Sequence, residues 1–221
     1  MASDLRMYEA ATPEDLARLR VFIGTHDAAK RLVDRHVSSP RYRPALTRLA
    51  ERDGALVGAA LLSHRRLHLD GATIDTGSID HLVAPDGEPD LAAMLGDCLG
   101  ALVEEGLPLA TLRGDTATFA PFGFAPFCFA AATRLPVVGA KSGGLLRPIG
   151  ADDLEDLAAL YASSYRDLPL SETRVAPDWR AWLVAGPNAL ALEDNRGRLI
   201  AYARISADAA PAIVVDEAAA A

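Results

Sequence analysis

Two adjacent titratable residues, Asp80 and His81, stand in the stretch Thr-Ile-Asp-Thr-Gly-Ser-Ile-Asp-His-Leu-Val at residues 73–83. A carboxylate or a neutral imidazole can take a proton from an amine, directly or through a water, so this pair is the candidate general base, with Asp75 on the same stretch. Successive side chains of a strand point to opposite faces, so the alternative is that one of the two meets solvent while the other caps or packs. His64 and His68 lie four apart with no third ligand nearby, and we read them as surface residues, with no metal site. Cys98 and Cys128 lack C-x-x-C spacing and sit among apolar neighbours, which points to buried thiols in a reducing compartment.

The elements that must position these groups are legible from periodicity. Residues 5–9 read as a strand. Thr12-Pro13-Glu14-Asp15 opens a helix with a cap, a first-turn proline and two acids at the positive end of the dipole. Leu16, Leu19 and Ile23 give its apolar stripe, and a second helix covers residues 27–37. Asp53-Gly54 and Asp70-Gly71 are hairpin turns that join strands at 45–52, 55–69 and 73–83. Leu91, Met94, Leu95, Cys98, Leu99 and Leu102 form one helical face that packs on a sheet, and Gly106 ends that helix. A strand at 107–112, a turn or short helix at 119–124 and a strand at 126–137 complete the order. Antiparallel strands followed by a β-α-β crossover predict an α/β (α+β) fold: a mixed, mostly antiparallel sheet with flanking helices.

The chain has 221 residues, half of them apolar and about a quarter charged, with a net charge of -8. This is the composition of a globular protein with a sizeable core. An acidic chain without a basic block repels phosphate backbones and anionic headgroups, so nucleic-acid and membrane partners are not expected. No signal-like segment and no membrane-spanning apolar run is visible, and a cytoplasmic location is expected.

Residues 136–144 read as a linker, after which the pattern restarts. Thr12–Leu16 with Leu19 is echoed by Gly150–Leu154 with Leu157. The Glu51–Gly58 hairpin is echoed by residues 194–201, and both echoes are offset by about 140 residues, the size of one domain. The division predicted is a first domain at 1–138, a linker at 139–144 and a partial second unit at 145–221. By the plan of the first copy, a helix and two strands would still follow the strand near residue 214. An open half sheet is not expected to stand alone, so the expectation is that it packs on the first unit, pairs with another chain (a homodimer that completes the second unit), or is a truncation.

Three segments carry a family resemblance. Leu112-Arg113-Gly114-Asp115 through Thr118-Phe119-Ala120-Pro121-Phe122-Gly123-Phe124 resembles the late signature of the GNAT (GCN5-related N-acetyltransferase) superfamily. Glu51-Arg52-Asp53-Gly54-Ala55-Leu56-Val57-Gly58 is similar to the turn between two of its strands. His81-Leu82-Val83-Ala84-Pro85 is similar to the end of its fourth strand. Together they cover most of residues 5–137. The resemblance implies acetyl-CoA as cosubstrate and an N-acetyltransferase reaction on a primary amine, either a small molecule or a peptide. It also implies a wedge between strands 73–83 and 107–112, in which backbone near Leu82, Val83 and Ala84 bonds the pantetheine arm. Unpaired N–H and C=O groups of splayed strands are what such an amide-bearing arm satisfies.

The sequence departs from that pattern at two places. The diphosphate loop of the family is glycine-rich and carries an Arg or Gln; here only Gly87 remains, in Asp86-Gly87-Glu88-Pro89-Asp90. Pro89 removes an N–H donor, and the acids either oppose phosphate or cap the next helix. Where the family has a Tyr that protonates the leaving thiolate, Phe119 has no proton to give. Arg113 and Asp115 read as a surface ion pair, and Trp179 and Trp182 as core or interface anchors on a helix. These departures support the alternative reading of a catalytically degenerate GNAT-like binding or dimerisation module.

Overall fold

The computed structural model describes residues 5–24, 27–84, 88–127, 145–185, 188–206 and 214–220. Gly87, Cys128 and most of the predicted strand at 126–137 lie outside them, as does the predicted linker at 139–144. The chain divides into two compact units, Met1–Arg66 with Ile74–Ala130, and Leu67–Thr73 with Ala131–Ala221.

The first unit holds a five-stranded sheet in the order β1-β2-β3-β4-β5: β1 (Arg6–Glu9), β2 (Thr47–Arg52), β3 (Ala55–Leu69), β4 (Ala72–Val83) and β5 (Ala110–Leu112). β1 and β3 run antiparallel to β2, while β5 runs parallel to β4. The predicted turns form as expected: Asp53 and Gly54 have φ of 52° and 78°, and Asp70 and Gly71 have 48° and 80°. Left-handed backbone at both central positions gives the twist that two strands need to stay paired.

Helices cover both faces of this sheet. α1 (Pro13–Ile23) starts with a capping box: Thr12 Oγ1 accepts from the Asp15 N–H at 3.1 Å, and Asp15 accepts from the Thr12 N–H at 3.0 Å. Leu19 and Val33, from α1 and α2 (Asp27–Val37), pack with Leu49, Ala59 and Leu61 on one face. α3 (Glu88–Glu104) lays Met94, Leu95, Cys98 and Leu102 against Ala50, Ala60, Leu62 and Ile79 on the other. Adjacent buried residues of β3 thus serve opposite layers, which is why that segment is continuously apolar rather than alternating. Cys98 is the buried free thiol expected, and burial pushes its pKa up to about 12, so it stays protonated.

β5 is shorter than predicted. Gly106 takes φ 75°, and the Leu107 N–H turns back to the Leu102 carbonyl at 2.9 Å, so Leu107 closes α3 and fills the core instead of joining the strand.

The second unit holds β6 (Leu145–Pro148), α5 (Leu154–Tyr165), α6 (Ala176–Ala185), β7 (Ala189–Glu193), β8 (Leu199–Ser206) and β9 (Val214–Ala220). Its sheet is antiparallel, in the order β6-β7-β8-β9. The element order of the first unit up to β4 is therefore repeated. Trp179 and Trp182 of α6 are buried at 2 % and 7 % exposure, stacking edge-on with Tyr161 and Tyr202. The Arg174 guanidinium lies over the rings of Tyr161 and Trp179, at 4.7 and 4.9 Å from their centroids. It also binds both Glu217 oxygens at 2.7 and 2.8 Å. Tyr202 donates to the same carboxylate at 2.7 Å.

Candidate functional site

The candidate site is the open end of the β4–β5 pair. The parallel register runs Gly77–Ala110, Ser78–Thr111, Ile79–Leu112 and stops there, while β4 continues to Val83. β5 ends because the next residues are built to turn. The Asp115 carboxylate caps α4 (Thr116–Phe119), accepting from the Thr118 N–H at 2.9 Å and its hydroxyl at 3.0 Å. The expected Arg113–Asp115 surface pair is replaced by this cap, because the orphan donors of a helix start lie closer to the carboxylate. A Cβ at Gly114 would stand 2.3 Å from the Phe119 ring, so glycine there lets Phe119 fold back against the strand end. Phe119 packs edge-on with Phe124 and, with Phe122, covers the core.

Among the described residues, β4 therefore has no partner beyond Ile79 on the β5 side. Gly77 donates to the Leu109 carbonyl at 2.7 Å, and its own carbonyl accepts from the Thr111 hydroxyl at 3.2 Å, so Gly77 addresses β5. Continuing that alternation, the main-chain groups of His81 and Val83 face the same side, beyond the end of β5. Among the residues expected to bond an amide-bearing arm, Val83 is thus in register to do so, Leu82 faces β3, and Ala84 follows the strand. Leu82 and Ala84 instead pack against the α3-side core.

Asp80 and His81 point to opposite faces. Asp80 Oδ1 accepts from Arg65 Nη2 at 2.8 Å and from the Ser78 hydroxyl at 2.7 Å. No bond to Oδ2 occurs among the described residues, and that oxygen is the one available to a ligand. The Asp80 side chain is 26 % exposed while the residue as a whole is exposed, so much of what solvent reaches is its backbone. His81 is half-buried, and burial lowers its pKa, which favours the neutral imidazole.

Three residues of this site are silent in the sequence: Arg65, Ser78 and His36. The first two share the odd–even face of Asp80, which strand periodicity alone could have flagged. His36, on α2, is held by Thr47 Oγ1 at 2.9 Å, and burial lowers its pKa to about 4 despite the opposing charge of Asp80. At the start of α3, Arg52 binds both Asp90 oxygens at 2.8 and 2.9 Å. The negative charge read from the sequence at Asp90 is thus compensated by a strand β2 cation.

No family model and no curated protein matches this chain. Solved structures do. A Saccharomyces cerevisiae N-myristoyltransferase with bound myristoyl-CoA aligns at TM-score 0.71 and 10 % identity, over 100 % of this chain and 67 % of that one. A second structure of that enzyme with bound myristoyl-CoA gives 0.67 at 10 % identity, over 100 % and 63 %. A conserved protein of unknown function from Enterococcus faecalis V583, described as a probable N-acyltransferase, gives 0.67 at 15 % identity, over 99 % and 58 %. The chain spans 58–67 % of the length of these structures. At such identities the likeness is one of fold: a mixed, mostly antiparallel sheet with flanking helices.

Proposed function

We propose that this chain is a CoA-dependent N-acyltransferase, with acetyl-CoA as donor and a primary amine as acceptor. The observation that carries this reading is the parallel register that ends at Ile79–Leu112 while β4 runs on to Val83. The fold shared with an N-myristoyltransferase bound to myristoyl-CoA, and with a probable N-acyltransferase, supports it.

The backbone of His81 and Val83 fits an amide-bearing pantetheine arm, because among the described residues it has no partners on that side. The thioester supplies an electrophilic carbonyl and a thiolate leaving group. A β4 N–H at the open end is available to the carbonyl oxygen as charge grows on it. Asp80 Oδ2, which accepts no bond among the described residues, orients the acceptor ammonium and takes its proton, while His81 lies on the opposite face. The amine nitrogen then bonds to the carbonyl carbon as the C–S bond breaks. The acidic balance of the chain favours a cationic acceptor by steering.

Calorimetric titration of acetyl-CoA, with free CoA and a long-chain acyl-CoA in parallel, tests the donor. Saturable micromolar binding, with an amine-dependent release of CoA that Asp80→Asn reduces about 100-fold, is the expected result. Absence of heat with every thioester rejects the reading. It would then favour a non-catalytic binding module, which one observation already supports: Phe119 stands where a thiolate-protonating Tyr is expected, and it is committed to packing on Gly114 and Phe124.

A further inference from the structure

The second unit carries a cleft of about 720 Å³ between the start of α5 and α6. Its α6 wall is the stripe Ala176, Arg180, Leu183 and Val184, spaced as one helical face. Trp179 also lines the cleft, as does Arg174, whose charge Glu217 holds, and Leu183 and Ala158 pack against the core that contains Trp179 and Trp182, so the cleft adjoins the buried side of α6. Val184, at the lip, is 83 % exposed, the most exposed large apolar side chain among the described residues. The opposite wall carries Asp152 and Glu155, with Ala158 keeping the floor shallow. Asp152, Glu155 and Arg180 are all exposed and form no ion pair or hydrogen bond among the described residues.

The charge pattern selects the occupant. A partner of a single sign would satisfy one wall and repel the other. A second copy of the same surface, turned by a two-fold axis, presents its Arg180 to Asp152 and Glu155 and its own acids to Arg180. The same operation lays each Val184 ridge into the facing cleft, where small alanines allow helices to approach closely. We infer that the α5–α6 face of the second unit is an isologous homodimer interface, in which Arg180 of each protomer pairs across the axis with Asp152 and Glu155 of the other. This pairing joins helical faces and leaves the sheet edge at β9 out of the contact. It is independent of whether the β4–β5 site transfers an acyl group.

Sedimentation velocity of the intact chain over a concentration series is the test. The wild type is expected to show a reversible dimer. Arg180→Glu, and separately Asp152→Arg with Glu155→Arg, are each expected to weaken it by about tenfold or more. The triple variant that reverses both walls is expected to restore the dimer, since the charges are complementary again. Val184→Asp, at a fully accessible position, should dissociate it without changing the circular dichroism spectrum. A wild type that stays monomeric overturns the inference. So does a dimer indifferent to both reversals, or a folded triple variant that fails to reassociate.

Discussion

In the first unit, Glu51 sits at an irregularity in the β2–β3 register, opposite Leu56, and holds Arg18 at 2.7 Å. In the second, Glu193 sits at the corresponding irregularity between β7 and β8, opposite Leu199, and holds Arg147 at 2.6 Å. The two hairpins share a backbone path down to the position of the bulge. Their interiors do not match. The layer under α1 and α2 is aliphatic, built from Leu19, Val33, Leu49 and Leu61. The layer under α5 and α6 is aromatic and encloses the Arg174–Glu217 pair, whose side chains are 13 % and 15 % exposed. One antiparallel plan therefore accepts two kinds of core. The open strand end has a different origin, because it needs a parallel strand that stops early, and among the described residues only β5 supplies one.

The largest expected effect breaks the core comparison directly. Arg174→Ala leaves Glu217 buried without its cation, and should cost the second unit about 3–5 kcal/mol. Both tryptophans of the chain lie in that unit, so their fluorescence reports its denaturation separately. An unchanged urea midpoint in that signal would mean that the ion pair is incidental to the fold.

Acid should separate the units next, in two windows. His36 binds its proton more weakly folded, at about 4, than unfolded, at 6.5. The unfolded state therefore carries more protons between these values, and the first unit loses up to about 3 kcal/mol as pH falls from 6.5 to 4. Glu217 is shifted the other way relative to its charged form. Burial raises its pKa, but Arg174 and the Tyr202 hydroxyl lower it more, and the net value falls below the usual 4.5. The stability it contributes is present above 4.5 and is lost only as pH drops through the depressed folded value. Hydrogen exchange in β2 should thus accelerate at a pH where tryptophan fluorescence is still native. His36→Gln should flatten the first window and leave the second intact; the reverse order of loss would discredit both assignments.

A smaller effect sharpens the role of the parallel pair. A Cβ at Gly77 would stand 2.5 Å from the buried Leu102 side chain, so Gly77→Ala must displace that side chain in the core at the first rung of the β4–β5 register. We expect a loss of about 1–3 kcal/mol. The loss should be confined to the first unit and accompanied by weaker acetyl-CoA binding in calorimetry. The smallest effect is at the shared hairpin position. Arg18→Ala removes a half-exposed pair and should shift the thermal midpoint little, whereas a clear drop would show that the bulge glutamate is structural in the first unit.

Local chemistry made much of this molecule legible. Thr12-Pro13-Glu14-Asp15 fixes a helix start through its own side chains, and Asp53-Gly54 and Asp70-Gly71 fix hairpins because few other pairs accept two left-handed residues. The helical face from Leu91 to Leu102 was readable for the same reason, since its period belongs to the segment alone. The candidate site was legible only in part. Asp80 and His81 are conspicuous as neighbours, yet the pleat sends them to opposite faces, and Asp80 is oriented by Arg65 and Ser78.

What the sequence determined by itself is therefore the order of the first unit's elements as far as the described residues show them, and their turns, because caps, turn residues and periodicity act within a few residues. What only the tertiary structure decided is where β5 stops, which partner each charge finds, and that Leu107 closes a helix instead of extending a strand. Arg52 and Asp90, 38 positions apart, meet because a strand and a helix start are packed together. No local pattern encodes such a meeting. It follows from packing a whole sheet between its helices, where burial forces each charge to find a partner.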